Sequence, residues 1–174
     1  MRISIIGHSG SGKTTLAEKI SQKFEIPHLH LDRLWFEAGG HLLAPGEEGS
    51  EKDRVRDYIQ EKVRKFIVQE NWVSDGLYSR VQADIATRAD AVVFIDIPLW
   101  RRLLNHAYRI WFTERHPELS LKGELAFFPD MVRRNRVHEP KLQAVVAQFK
   151  DKIVHLRSYK EVEQYFADLS TEPL

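Results

Sequence analysis

The chain contains no cysteine, which excludes a disulfide framework, a thiolate metal site and a cysteine nucleophile. No apolar run approaches the roughly 18 residues that a membrane-spanning helix requires, and the apolar run near the start is too short for a signal peptide. The net charge is only +1, which gives little support to DNA binding. These absences favour a cytoplasmic protein that binds neither DNA nor membranes.

What the chain does have is an alternation of short apolar runs and segments with helical periodicity. The 174 residues suit a single domain spanning 1–174, and we expect a monomer, with a dimer as the alternative. The predicted strands are Arg2–Ile6, Ile26–Leu31, Trp72–Ser74, Ala91–Ile97 and Lys152–Leu156. Several of them are apolar almost throughout, which is typical of strands covered on both faces. The alternation therefore predicts an α/β fold, a parallel sheet with helices on both faces.

Five apolar stripes at helical spacing predict the amphipathic helices between these strands. The stripes cover residues 16–24, 55–67, 99–111, 142–149 and 162–169. Ser79–Gln82 and Ser158–Glu161 have the spacing of a capping box, which predicts a helix start at each serine.

Two glycine- and proline-containing segments interrupt the alternation, residues 32–50 and residues 115–130. Clusters of these residue types favour loops, and long loops within a compact domain usually carry function. We predict an acceptor-side loop over 32–50 and a lid region over 115–130.

The most specific motif follows the first predicted strand. Gly7–Thr14 matches the pattern G-x-x-x-x-G-K-[ST] at every fixed position. Its glycines let the backbone turn towards phosphates, while backbone N–H groups and the following helix N-terminus point at anionic oxygens. Lys13 brings positive charge to the β- and γ-phosphates, and Thr14 offers its hydroxyl to Mg²⁺. The predicted ATP-binding residues are Gly7, Ser9, Gly10, Ser11, Gly12, Lys13, Thr14 and Thr15.

Asp32 directly follows the second predicted strand, at the edge where parallel sheets bind ligands. It could bind an acceptor hydroxyl or take its proton; the alternative is an aspartate that caps the next turn. Trp35 and Phe36 could line an acceptor pocket or pack under the loop. His28 and His30 share one face of this strand, but a metal pair there lacks a third ligand at useful spacing.

Four segments together resemble the adenylate-kinase-related P-loop kinases, and most closely a bacterial branch usually labelled topology-modulation proteins. The segments are Gly7–Thr15, His30–Asp32, Trp72–Arg80 and Phe94–Pro98. The resemblance covers nearly the whole chain in order. It implies a three-layer P-loop NTPase fold with a five-stranded parallel sheet, a small lid insertion and phosphoryl transfer from ATP. It also implies that Asp75, after the third strand, helps to hold Mg²⁺.

The resemblance further implies roles for arginines. Arg80 would grip the acceptor, since a guanidinium matches phosphate or carboxylate geometry. Adenylate-kinase relatives tend to place lid arginines seven and eleven residues after the D-x-P proline, positions that are Asn105 and Arg109 here. Arg109 is therefore the carried-over residue, and Arg101 or Arg102 could replace the missing one. An exposed basic face is the alternative for each arginine.

Together these features predict an Mg²⁺- and ATP-dependent small-molecule kinase. The predicted catalytic residues are Lys13, Asp32, Arg80 and Arg109, and the predicted magnesium ligands are Thr14 and Asp75. A nucleoside monophosphate is the leading acceptor, followed by a nucleoside or another small hydroxyl or phosphate compound. The alternatives are an ATP-binding regulator with slow ATPase activity and a macromolecular partner, and a nucleotide-binding relic without turnover.

Overall fold

The apolar runs form strands that pair side by side in one parallel sheet. A computed structural model describes residues 1–43, 49–112 and 121–169, with the backbone alone at 109–112, 121–127, 130 and 134. In chain order its elements are β1 (Arg2–Gly7), α1 (Lys13–Phe24), β2 (His28–His30), α2 (Leu31–Glu37), α3 (Ser50–Phe66), β3 (Trp72–Asp75), α4 (Gln82–Arg88), β4 (Ala91–Ile95), α5 (Leu99–Phe112), α6 (Leu121–Gln148), β5 (Ile153–Leu156) and α7 (Tyr159–Asp168).

The five strands lie in the order β2-β3-β1-β4-β5, and every neighbouring pair is parallel. β1 occupies the centre, with Ile5 opposite Asp75 of β3 and Gly7 opposite Ile95 of β4. On the outer side of β3, His30 of β2 lies opposite Asp75. The carboxyl ends of the strands therefore meet at one edge of the sheet, as the parallel arrangement requires.

Helices cover both faces of the sheet, and a separate apolar core fills each interface. On one face, Ile3 and Ile5 of β1 pack with residues of α1 and α7. On the other face, Ile6 packs with residues of α3, α4 and α6. The same alternation holds in β4, whose side chains are divided between the two cores. The predicted three-layer α/β fold with a five-stranded parallel sheet is confirmed.

The two predicted capping boxes have different outcomes. At α7, Ser158 Oγ accepts a hydrogen bond from the Glu161 backbone N–H at 3.2 Å and donates to the Glu161 carboxylate at 2.8 Å. At α4, the helix begins only at Gln82, after Val81, and no side chain caps it. The prediction of a helix start at Ser79 is therefore wrong, because the chain turns once more before it becomes helical.

The prediction of a continuous loop over 32–50 is wrong for its first part. Leu31–Glu37 is the helix α2, whose start is capped by His30 Nδ1, an acceptor for the Arg33 N–H at 3.4 Å. Leu31 and Leu34 are buried on its inner face. The glycines that suggested a loop lie after this helix, in and beside a 3₁₀ turn at Gly40–Leu42. Residues 44–48 lie outside the described residues.

The prediction of a loop over 115–130 is wrong for residues 121–130, which are helical. Residues 113–120 lie outside the described residues, while residues from Leu121 onwards form α6. Pro129 lies inside this helix although proline removes a helical hydrogen bond. Met131 and Leu142 of α6 are fully buried, and this packing outweighs the local preference. Within the described ranges, no helix combines the length and apolar character that a membrane span needs.

The two serines provide a matched test of these helix starts. We expect Ser158→Ala to lower the free energy of unfolding by about 1 kcal/mol, because the mutation removes the side-chain acceptor of the Glu161 backbone N–H. Ser79→Ala should leave it nearly unchanged, since Ser79 caps no helix. Urea unfolding of both variants measures the difference, and an equal loss in the two would contradict this assignment.

Candidate active site

The turn between β1 and α1 lies at the carboxyl edge of the sheet, in close contact with β4. Gly7 has φ +149°, and a Cβ atom there would lie 2.5 Å from the backbone oxygen of Ile95. Gly12, at the N-cap of α1, is left-handed with φ +92°. Gly7 must be glycine because a Cβ has no space there, and Gly12 because its backbone is left-handed. We call Gly7–Thr14 the phosphate-binding loop, in keeping with the motif.

The loop leads into a helix N-terminus that carries positive electrostatic potential. No side chain caps α1, and its first turn contains no acidic residue. Among the described residues no side chain caps the backbone N–H groups of that turn, which suits an anionic ligand. Lys13 adds an ammonium group, which donates to the His8 carbonyl at 2.9 Å. Burial lowers the pKa of Lys13 below its ordinary value of 10.5, against the opposing carboxylates of Asp32 and Asp75.

Thr14 and Asp75, the two predicted magnesium ligands, are in direct contact. The Thr14 hydroxyl donates to Asp75 Oδ2 at 2.6 Å, and Asp75 is only 1% exposed. Hydroxyl and carboxylate oxygens are hard donors that fit Mg²⁺, which usually takes one or two protein ligands together with phosphates and water. Among the described residues, no group of three or more His, Cys, Asp or Glu side chains could hold a metal alone.

A cavity of about 810 Å³ opens beside the loop, a size that suits a small-molecule ligand. Its lining residues come from five separate segments of the chain and fall into three groups. The residues of the phosphate-binding side are Ser9, Gly10, Gly12, Lys13, Thr14 and Thr15. A second group, which we call the acceptor wall, consists of Leu31, Asp32, Trp35, Phe36, Leu77 and Tyr78. The remaining lining residues are Asn105, His106, Tyr108 and Tyr159.

The structure brings Asp32 and Lys13 into one cavity, whereas the two predicted arginines are placed differently. Arg80 is exposed in the turn after β3 and does not line the described cavity. It is close enough for its charge to oppose the rise in the pKa of Tyr78 that burial causes. Arg109 lies in α5, and its side chain is outside the described residues. Ser11 of the loop is fully buried, and its hydroxyl has no hydrogen-bond partner among the described residues.

Arg102 connects the phosphate-binding loop to the helices α5 and α6. Its guanidinium is 2% exposed and donates to the backbone oxygens of Ile97 at 2.8 Å and Ser9 at 3.0 Å. A further hydrogen bond goes to the Asn135 side chain of α6. Arg102 is therefore not available as a lid arginine over the cavity, and that alternative is wrong. Arg101 is exposed and lies over the ring of Trp100 at 5.1 Å.

His8 gives the loop a second connection to α6. Its Nε2 lies 2.7 Å from Glu139 Oε2, and the imidazole is 4% exposed. His8 occupies one of the four unspecified positions of the motif G-x-x-x-x-G-K-[ST], so the pattern itself gives it no role. No local signal could have identified this pair, since the two residues are 131 positions apart in the chain.

Tyr159 also closes the cavity and was missed. Its hydroxyl donates to the Gly10 carbonyl at 3.4 Å, and burial raises its pKa. The signal was present in the sequence, because Tyr159 directly follows the Ser158 cap at the carboxyl end of the fifth strand. That edge is where ligand-contacting residues of parallel sheets collect.

Comparison with solved structures agrees with this architecture. Shikimate kinase from Bacteroides thetaiotaomicron superposes with a TM-score of 0.56 at 16% identity, covering 96% of this chain and 94% of its own. Shikimate kinase from Aquifex aeolicus gives a TM-score of 0.54 at 19% identity, covering 97% and 92%. The chain has the fold of P-loop kinases. No protein-family model matches it, and the resemblance to topology-modulation proteins stays a prediction.

Acid should destabilise the protein through His8. Burial lowers the pKa of His8 below its ordinary value of 6.5, and the hydrogen bond to Glu139 only partly offsets this. At pH values just below the ordinary pKa, His8 binds a proton more readily in the unfolded chain than in the folded chain. The free energy of unfolding therefore falls as the pH drops. We expect the free energy of unfolding of His8→Asn, measured by urea unfolding, to depend less steeply on pH than that of wild type between about pH 5 and pH 7. An unchanged slope would contradict the assignment.

Proposed function

We propose that this chain is an Mg²⁺- and ATP-dependent phosphotransferase that acts on a small molecule bearing a planar ring. One observation carries the proposal. The phosphate-binding loop and the acceptor wall line a single cavity of about 810 Å³, and Thr14 of that lining donates to the buried Asp75 carboxylate. The two similar solved structures are named as kinases of a small molecule, which supports the same reaction class.

The phosphate side of the cavity supplies binding and electrostatic stabilisation. The uncapped N-terminus of α1 and the Lys13 ammonium place positive charge where a triphosphate would lie. Phosphoryl transfer depends mainly on positioning and on stabilising charge that spreads over the transferred group. Lys13 would neutralise part of that charge, and Arg109 remains a proposed second cation from the lid side.

Thr14 and Asp75 are the residues that would hold Mg²⁺. The Thr14 hydrogen is donated to Asp75, so the oxygen lone pairs of Thr14 are left for other partners. Burial raises the pKa of Asp75, but hydrogen bonds from His28 and Thr14 bring it below its ordinary value of 3.8, which keeps the carboxylate ionised. When bound, Mg²⁺ would supply positive charge that neutralises phosphate oxygens.

The acceptor wall is suited to an aromatic ring. Trp35 and Phe36 pack edge to face with ring centroids 5.2 Å apart, and Phe36 is 55% exposed. Tyr78 adds a third aromatic side chain to the wall. Planar nucleobases stack on such side chains. This wall therefore supports a nucleobase-containing acceptor over a ring without π-electrons.

Of the two leading acceptors, the described wall favours a nucleoside. Asp32 is its carboxylate, and a carboxylate repels a phosphate acceptor but can accept a hydroxyl proton. A nucleoside monophosphate would need a cation on this wall. Arg80 is the cation predicted for this role, and we propose that it contacts the acceptor only if its exposed side chain moves inward.

An acceptor screen tests this function. ADP release should be low with ATP alone and should rise well above that rate with at least one nucleoside. Asp32→Asn should lower kcat by about a hundredfold or more, because the acceptor hydroxyl loses its base. Glu37→Gln, an exposed change on the same helix and outside the cavity, is the matched control and should retain full activity.

Other outcomes of the screen are equally informative. Stimulation by a nucleoside monophosphate alone would reject the nucleoside assignment, and stimulation by shikimate alone would reject an aromatic-ring acceptor. If no acceptor changes the rate while ATP still binds, the ATP-binding regulator would replace the kinase as the better account.

A further inference from the structure

The side of Asp75 that faces away from the phosphate-binding loop contacts two histidines of the edge strand β2. His28 Nε2 lies 2.7 Å from Asp75 Oδ1, while His30 Nδ1 lies 3.8 Å from the same oxygen. The two imidazoles are stacked, with ring centroids 6.0 Å apart. The buried carboxylate therefore has a different partner on each oxygen, His28 on Oδ1 and Thr14 on Oδ2.

The hydrogen-bond pattern identifies His28 as a donor. An aspartate carboxylate is ordinarily ionised at neutral pH, so it carries no proton and can only accept in the 2.7 Å contact with His28. Nε2 of His28 must then carry the hydrogen that lies between the two groups. His30 is engaged otherwise, since its Nδ1 accepts the backbone N–H of Arg33 at the start of α2. His28 is thus the histidine that holds the carboxylate.

A restrained carboxylate matters at a metal site. The terminal torsion of an aspartate is broad, so an unrestrained carboxylate rotates between orientations. Hydrogen bonds from outside the coordination sphere remove this freedom before the metal binds, and losing such a partner typically weakens metal affinity 10- to 100-fold. With Oδ1 held by His28, Oδ2 remains directed at the Thr14 hydroxyl.

We propose that His28 is a positioning residue for the magnesium site, which fixes the orientation of Asp75 through its Nε2–H. The inference rests on the proposed function, because it assumes that Thr14 and Asp75 hold Mg²⁺ beside a bound nucleotide. It assigns His28 no contact with substrate or phosphate. Its effect should therefore appear in metal binding rather than in nucleotide binding without metal.

The test compares nucleotide affinity with and without the metal. Calorimetric titration with the β,γ-imido analogue of ATP gives one Kd in excess Mg²⁺ and another in EDTA, and their ratio is the magnesium enhancement. We expect His28→Leu to lower this enhancement about tenfold while the Kd in EDTA stays within about twofold of wild type. His28→Gln should recover most of it, because the glutamine amide can donate to Oδ1.

A second histidine–aspartate pair provides the control. His155 Nε2 lies 2.9 Å from Asp96 Oδ2 at the opposite edge of the sheet, and neither residue lines the described cavity. His155→Leu removes the same kind of hydrogen bond and should leave the magnesium enhancement unchanged.

The possible results distinguish a failure of the positioning role of His28 from a failure of the proposed function. A wild-type protein without magnesium enhancement would overturn the proposed function itself. Normal enhancement in both wild type and His28→Leu would overturn the positioning role alone. An equal loss of affinity in Mg²⁺ and in EDTA would also overturn it, since that pattern indicates only a structural role. Equal loss in His28→Gln and His28→Leu would reject the donor assignment.

Discussion

The hydrogen-bonded position of β1 between β3 and β4 is the constraint on which the rest of the site depends. Because all three strands are parallel and in this register, Gly7, Asp75 and Ile95 end at the same edge of the sheet. Gly7 lies so close to the Ile95 backbone that only a hydrogen fits where a Cβ would be. The loop that follows is therefore positioned by the sheet below it as well as by its own glycines.

Much of this was predictable from local sequence. The apolar runs identified all five strands to within a few residues, because strands buried on both faces carry a strong and continuous apolar signal. The spacing of Gly7, Gly12, Lys13 and Thr14 predicted the loop, since its glycines and cationic residue have few other uses at that spacing between a strand and a helix. The cap at Ser158 was also predictable, because both partners lie within four residues.

The remaining features depend on contacts between distant segments. His28 and Asp75 are 47 residues apart, and only the register of β2 against β3 brings them together. This explains why the sequence suggested a histidine pair without an acidic partner. Arg102 was a candidate lid arginine because of its place in the sequence. Its burial against the loop follows from the packing of α5, which no local pattern shows. The helical state of residues 121–130 likewise reflects packing of α6 that outweighs the effect of Pro129.

The central claim is that the turn after β1 binds the phosphates of ATP with the ammonium of Lys13. A thermal unfolding scan with Mg²⁺ and ATP tests it directly. At about 100 times Kd the ligand should stabilise the protein by roughly 2.7 kcal/mol, which corresponds to a rise in Tm of roughly 5–10 °C. Lys13→Ala should abolish most of that rise, while Lys19→Ala, which removes a partly exposed lysine on the same helix that pairs with Glu163, should preserve it. An equal rise in wild type and Lys13→Ala would contradict the account.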